Sequence, residues 1–267
     1  MSYSTQSAAY RTAAWVLEHE ADAATLADGR SLQLTDQTVS GVLRGVPVVD
    51  RTKTLLILAA DDSIVRVSLV RPGVTVERLD ALGDGQSANI DLQSVAFTVV
   101  ATTSRPAAEA CYLAQSTYDL AREASKAYEL TREQVKTREQ FGAPLVKLPA
   151  VASNLARMRV LLTQIDAAVS MLEYEGEPAR DAAEIGLIYR VARATASNAG
   201  TELARLAHQL HGAKGIREDY ALHQYTRRIW ESRDLLVPAA ENLAALGRHA
   251  LGSGEDKVWA ETTPARA

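Results

Sequence analysis

Two stretches of this sequence gather cations, backbone amides and an aromatic ring at the ends of predicted helices. The first is Arg132-Glu-Gln-Val-Lys-Thr-Arg-Glu-Gln-Phe-Gly142. An ordinary helix C-terminus accounts for part of it: cations there favour the macrodipole, and Gly142 supplies a left-handed cap. That account covers Lys136, Arg138 and Gly142 but not Phe141, one of only two phenylalanines in the chain. A guanidinium beside an exposed ring suits a flat anionic ligand, the first binding phosphate in a fork and the second stacking. The second stretch is Gln209-Leu-His-Gly-Ala-Lys-Gly-Ile-Arg-Glu-Asp-Tyr220. It reads either as a plain helix-to-helix connection or as a glycine turn whose amides and Lys214 approach a pyrophosphate. On the residues alone both readings stand.

Other chemistries find little support. His208 and His211 are three apart on a predicted helix, but no carboxylates join them in a ligand spacing, so no metal site is expected. Nucleophile-elbow, P-loop and dinucleotide-loop glycine patterns are missing. The single cysteine, Cys111, lies among Ala110 and Leu113, where an inert buried thiol is expected. Lys+Arg 29 against Asp+Glu 33 and a pI near 5.8 give no electrostatic grip on nucleic acid. No apolar run is long enough to span a bilayer, and the first residues do not read as a signal peptide, so a cytoplasmic protein is expected.

These turns must be held by elements, and the composition shifts near residue 104. Residues 30 to 100 alternate Val, Leu, Ile and Thr runs with Gly, Asp or Pro, which predicts short strands. The runs are Thr38 to Leu43, Thr54 to Ala59, Ile64 to Leu69, Val74 to Leu79, Asn89 to Leu92 and Ala96 to Val100, with a turn at Gly83-Asp84-Gly85 among others. After Ser104-Arg105-Pro106 the spacing becomes helical, predicting helices over about 107–139, 149–174, 179–211 and 220–248, with a break at Gly176-Glu-Pro178. The expected architecture is α+β: a helical stretch over 1–28 that includes Ala8 to Leu26, a small β-barrel or sandwich over 29–104, a four-helix up-down bundle over 105–251, and a flexible tail over 252–267. Helices this long bury apolar stripes most readily against a second chain, so oligomerisation is expected.

Taken together, the two turns resemble the C-terminal domain of the acyl-CoA dehydrogenase flavoproteins. The family's Arg-x-Gln-Phe-Gly reads here as Arg138-Glu-Gln-Phe-Gly142, continuing through Ala143-Pro144-Leu145 to Val151–Met158. Its Gln-x-x-Gly-Gly-x-Gly is similar to Gln209-Leu-His-Gly-Ala-Lys-Gly215, followed by Tyr220 and Arg227-Arg228. The resemblance covers roughly residues 30 to 248 and implies FAD as cofactor. On it, Arg138, Gln140 and Phe141, with Gln209, Gly212 and Lys214, meet the adenine and pyrophosphate half of the flavin nucleotide. The implied reaction oxidises an acyl-CoA thioester to the 2-enoyl-CoA, a Glu taking the α proton and the flavin taking the β hydride.

The chain departs from the family pattern where the chemistry would sit. The all-helical N-terminal domain and the Thr-Glu-Pro … Gly-Ser-Asp segment are not found before the strands. The two positions at which the family carries its catalytic Glu fall on Leu236 and Tyr112, so no catalytic residue is assigned to this chain. Glu109, Glu231 and Asp234 are the nearest acids in sequence. Ala213 replaces a glycine of the second turn, with Lys214 beside it to compensate in charge, and Arg122 replaces a small residue of the first bundle helix. The resemblance therefore implies the partner subunit of a heteromeric, heterotetrameric bacterial acyl-CoA dehydrogenase in steroid or lipid catabolism. A larger subunit would bring the base and most of the acyl-CoA pocket. The other expectation is a non-catalytic helical interaction protein that keeps the fold without the flavin.

Overall fold

The computed structural model describes residues 11–13, 16–17, 24–48, 52–80, 86–100, 103–173, 182–254 and 256–257. The chain divides into two compact units, Met1–Gln115 and Ser116–Ala267.

The first unit carries eight strands: β1 Ala24–Asp28, β2 Gln33–Leu34, β3 Thr38–Val48, β4 Thr54–Leu58, β5 Ile64–Ser68, β6 Val74–Asp80, β7 Gln86–Ala96 and β8 Thr98–Val100. They form two open four-stranded sheets in the orders β1-β4-β5-β8 and β2-β3-β7-β6. No closed barrel forms among the described residues, which corrects half of the barrel-or-sandwich expectation. The two sheets instead share one apolar cluster, with Leu55, Ile57, Val65 and Val67 from one and Val39, Leu43, Ile90 and Leu92 from the other. Alternating burial selects these residues, since successive side chains of a strand face opposite ways. Leu26, expected at the end of an N-terminal helix, lies instead in β1, paired parallel with Leu56 of β4. The glycine turn at 83–85 and the break at 176–178 lie outside the described residues, as does most of the tail after Gly254.

Helix α1, Arg105–Thr137, begins in the first unit, where Arg105 is buried. Its Nη1 donates to the carbonyls of Leu58 (2.7 Å) and Ala59 (2.9 Å), its Nη2 to Asp28 at 3.1 Å, and its Nε to Glu109 at 2.9 Å. Five planar donors can satisfy that many acceptors at once, which is how a charge is tolerated there.

The second unit contains the rest of α1 with α2 Pro149–Leu172, α3 Ala182–His211, α4 Leu222–Asp234 and α5 Ala239–Ser253. Its core joins Leu120 of α1, Met158 and Ile165 of α2, Leu203 and Leu210 of α3, and Leu222 and Ile229 of α4. Gly200 lets three helices meet: a Cβ there would stand 2.9 Å from Leu120 Cδ2 and 3.2 Å from Ile229 Cγ2. Arg122, in place of the expected small residue, keeps its guanidinium partly exposed and pairs with Glu123 and Asp119 at 2.8 and 3.4 Å.

The expected fourth helix over 220–248 is two helices. After Asp234 the Val237 amide donates to the Leu235 carbonyl at 2.7 Å, and Leu236 between them takes φ +57°. A tight three-residue turn with positive φ is strained for a bulky residue. Pro238, without an amide hydrogen, then caps the start of α5.

Candidate functional site

Helix α1 ends at Thr137, two residues earlier than its spacing predicts. Arg138 follows, its amide donating back to the Gln134 carbonyl at 3.0 Å. The chain then forms a tight hairpin, β9 Glu139–Gln140 against β10 Ala143–Pro144, closed by the Leu145 amide on the Arg138 carbonyl at 2.8 Å. Its two turn residues, Phe141 and Gly142, have φ +56° and +81°, the positive pair of a type I′ turn. Gly142 is thus not the left-handed cap of α1 but the second corner of a hairpin beyond it.

That geometry presents Phe141 to solvent, 90% exposed, in a backbone conformation bulky residues avoid. Arg138 and Gln140 are also exposed. The Arg138 side chain makes no hydrogen bond or ion pair among the described residues. A forked cation and a flat ring therefore stand free on one short hairpin.

The second stretch forms a different corner. Helix α3 passes into a 3-10 turn, Gly212–Ile216. Gly212 has φ +58°, and a Cβ built on it meets nothing within 4 Å, so its backbone faces open space. Gly215 is needed for packing: a Cβ there would lie 3.0 Å from both His211 Cβ and Leu222 Cδ2. Ala213 is exposed. Gln209 is exposed too, accepting from Arg205 Nη1 at 3.3 Å, and no hydrogen bond among the described residues ties it to the hairpin.

Lys214 does not extend into solvent. Its Nζ donates to Gln134 Oε1 at 2.7 Å and stands 4.4 Å from the centre of the Tyr220 ring. One residue, Gln134, thus takes the Lys214 ammonium through its side chain and the Arg138 amide through its backbone. Gln134 is the residue whose role the sequence reading missed. The available signal was its place one helical turn before Arg138, on a face that buries Thr131 and Val135.

Beneath the turn lie two histidines. His211 Nδ1 is 2.8 Å from the Ala207 carbonyl and must donate to it, which leaves Nε2 to accept from the Tyr220 hydroxyl at 3.1 Å. Burial pushes its imidazole below the ordinary value, and the Lys214 and His208 charges add to this against the Ala207 hydrogen bond. His208 Nε2 lies 2.8 Å from Thr226 Oγ1, whose own proton goes to the His223 carbonyl at 3.2 Å. His208 therefore donates from Nε2, and its buried Nδ1 is left with no hydrogen-bond partner among the described residues. Burial, with His223 nearby, lowers its pKa as well. No group of three or more metal-ligating side chains occurs among the described residues.

Two of the three acids named from the sequence are ion-paired. Glu109 is ion-paired to Arg105, and Asp234 to Arg233 at 2.5 Å. Glu231 sits half-buried on α4. Tyr112 is 2% exposed, and Leu236 lies at the strained turn. Burial raises the Cys111 thiol pKa, against smaller opposing effects of the Thr12 hydroxyl and the Arg11 charge.

Comparison with known proteins agrees with the resemblance carried by the two turns. Residues 116–230 match the family described as "Acyl-CoA dehydrogenase, C-terminal domain". The chain is 25% identical over 228 residues to acyl-CoA dehydrogenase FadE28 of Mycobacterium tuberculosis, covering 84% of this chain and 66% of that protein. Among solved structures it is similar to a variant of the Tcur3481-Tcur3483 steroid ACAD, with TM-score 0.73 at 23% identity over 86% of this chain and 63% of the other. It is also similar to the ChsE4-ChsE5 complex from Mycobacterium tuberculosis, with TM-score 0.68 at 20% identity over 91% and 67%. Those structures share the fold, and the chain spans about two thirds of the length of each. No helix among the described residues is long and apolar enough to cross a membrane.

Proposed function

With an acyl-CoA dehydrogenase C-terminal domain over residues 116–230 as its premise, we propose that this chain holds the nucleotide half of an FAD in a heteromeric acyl-CoA dehydrogenase. The carrying observation is the hairpin after Arg138, which brings an exposed guanidinium and a 90% exposed ring into one short segment. No packing among the described residues accounts for a bulky aromatic that is 90% exposed at φ +56°. The residues fit the group: Arg138 suits the pyrophosphate, Phe141 and Gln140 the adenine side, and the open backbone of Gly212 a close phosphate approach. Bound there, the flavin would supply the hydride acceptor for oxidation of an acyl-CoA thioester to its 2-enoyl-CoA.

The base is expected on another chain. Neither Tyr112 nor Leu236 can take a proton from carbon, and Glu109 and Asp234 are held by arginines. A larger partner subunit in a heterotetramer supplies that carboxylate and most of the acyl-CoA pocket in this reading. Two of the similar folds belong to a steroid ACAD and to the ChsE4-ChsE5 complex, which favours a heteromeric assembly and a steroid or other lipid acyl group.

The test is isolation of the chain with its native partner and measurement of absorbance at about 450 nm, where oxidised flavins absorb. Arg138→Ala is expected to cut the flavin content of the complex severely. A colourless native preparation, or a variant with full flavin content, refutes the proposal and leaves a non-catalytic helical interaction protein as the reading.

A further inference from the structure

We infer that Lys214 is a positioning residue: its ammonium pins the Gly212–Ile216 turn to the last turns of α1 and so sets where Gly212 stands relative to the Phe141 hairpin. The inference rests on the reading that these two corners hold one nucleotide, and it replaces the simpler expectation that Lys214 meets the phosphates itself.

The side chain is fixed at both ends of its reach. Nζ donates to Gln134 Oε1 at 2.7 Å and lies 4.4 Å from the Tyr220 ring centre. A lysine serving a phosphate directly would gain by standing free in solvent, whereas this one is half-buried with a neutral acceptor and a π face around it. The ring is fixed in turn: Tyr220 Oη donates to His211 Nε2 at 3.1 Å, and the two rings lie 5.3 Å apart. His211 is 3% exposed and tied to the Ala207 carbonyl of α3. At the other end Gln134 is 5% exposed, so its amide oxygen has a donor in Lys214 instead of water.

The line Ala207–His211–Tyr220–Lys214–Gln134 therefore runs without a break from α3 to α1. Gln134 is also where the Arg138 amide leaves the helix, at 3.0 Å. The two corners are joined through one residue, Gln134.

The variants that separate positioning from direct binding are Lys214→Met, Gln134→Leu and the double variant. Hydrogen exchange at residues 212–216 is read on the full chain without flavin, and FAD dissociation constants across a salt series are read on the complex isolated with its native partner. If Lys214 positions the turn, each single variant speeds exchange and weakens FAD by about tenfold, as loss of a charged hydrogen bond does. The double variant is then no worse than either alone, and the salt dependence stays that of the unaltered protein. Gln134→Glu, which keeps an acceptor, retains flavin binding. If Lys214→Met alone weakens FAD and flattens the salt dependence while Gln134→Leu is silent, the lysine is a phosphate ligand and the inference is overturned. Unchanged exchange in both single variants overturns it equally, whatever the flavin does. Faster exchange in both, in a complex that never holds flavin, upholds the clamp and refutes the FAD reading instead.

Discussion

Replacing Phe141 by Asn separates what the hairpin needs for stability from what it offers a ligand. Phe141 and Gly142 occupy the two positive-φ positions of the turn, and Asn-Gly is a pair such turns accept most readily. The left-handed conformation costs a residue with an ordinary side chain about 1–2 kcal/mol, which Asn largely escapes through local hydrogen bonding. Little burial is given up in exchange, because the ring is 90% exposed. A tenth of a ring surface of about 200 Å², at about 25 cal/mol per Å², is roughly 0.5 kcal/mol. The variant should therefore be more stable by about 1 kcal/mol, or about 2 °C in melting temperature for a chain of this size. Urea unfolding followed by circular dichroism measures the gain, and flavin absorbance of the native complex measures the loss. Stability and flavin content are expected to move in opposite directions. A destabilised variant would mean that the ring packs on protein, and full flavin retention would remove Phe141 from the site.

Two further outcomes follow from buried charges and rings. Arg105→Met should destabilise the first unit by about 3 kcal/mol, since it strips donors from the Leu58 and Ala59 carbonyls and from Asp28 and Glu109; a loss below about 1 kcal/mol in urea titration would mean that water replaces the guanidinium. Acid should loosen the second unit through His208 and His211, whose folded pKa values lie below the ordinary 6.5. Above that value both rings are neutral folded or unfolded and contribute nothing. Below it the unfolded chain takes up protons that the folded chain resists, so stability falls until the folded rings titrate. Unfolding free energies that stay level between about pH 7 and about pH 5 would contradict this.

Much of the molecule was legible in the residues. The strand-to-helix switch near Pro106 was plain because period-2 and period-3.6 apolar patterns differ over runs that long. The corners were harder to read. Arg138-Glu-Gln-Phe-Gly142 could be seen to matter, but its hairpin was hidden because Phe is an improbable occupant of the first turn position, and a helix followed by Gly suggests a cap. The break of the expected fourth helix is marked by Pro238 but masked by Leu235-Leu236-Val237, which continues the apolar pattern across the turn closed by the Val237 amide on the Leu235 carbonyl. The surroundings of Lys214 were not legible, because sequence cannot reveal that Gln134 and Tyr220, far apart along the chain, close around its ammonium.

The bend at Leu236 separates scaffold from reagent. Its φ of +57° accompanies the Val237-to-Leu235 hydrogen bond just before Pro238, so the backbone penalty falls on any residue with an ordinary long side chain that stands there. A glutamate at that corner would meet the same conformational toll as the leucine it replaced. Exchanging leucine for glutamate at this position would therefore change the chemistry of the corner without redrawing the path of the chain that leads to it.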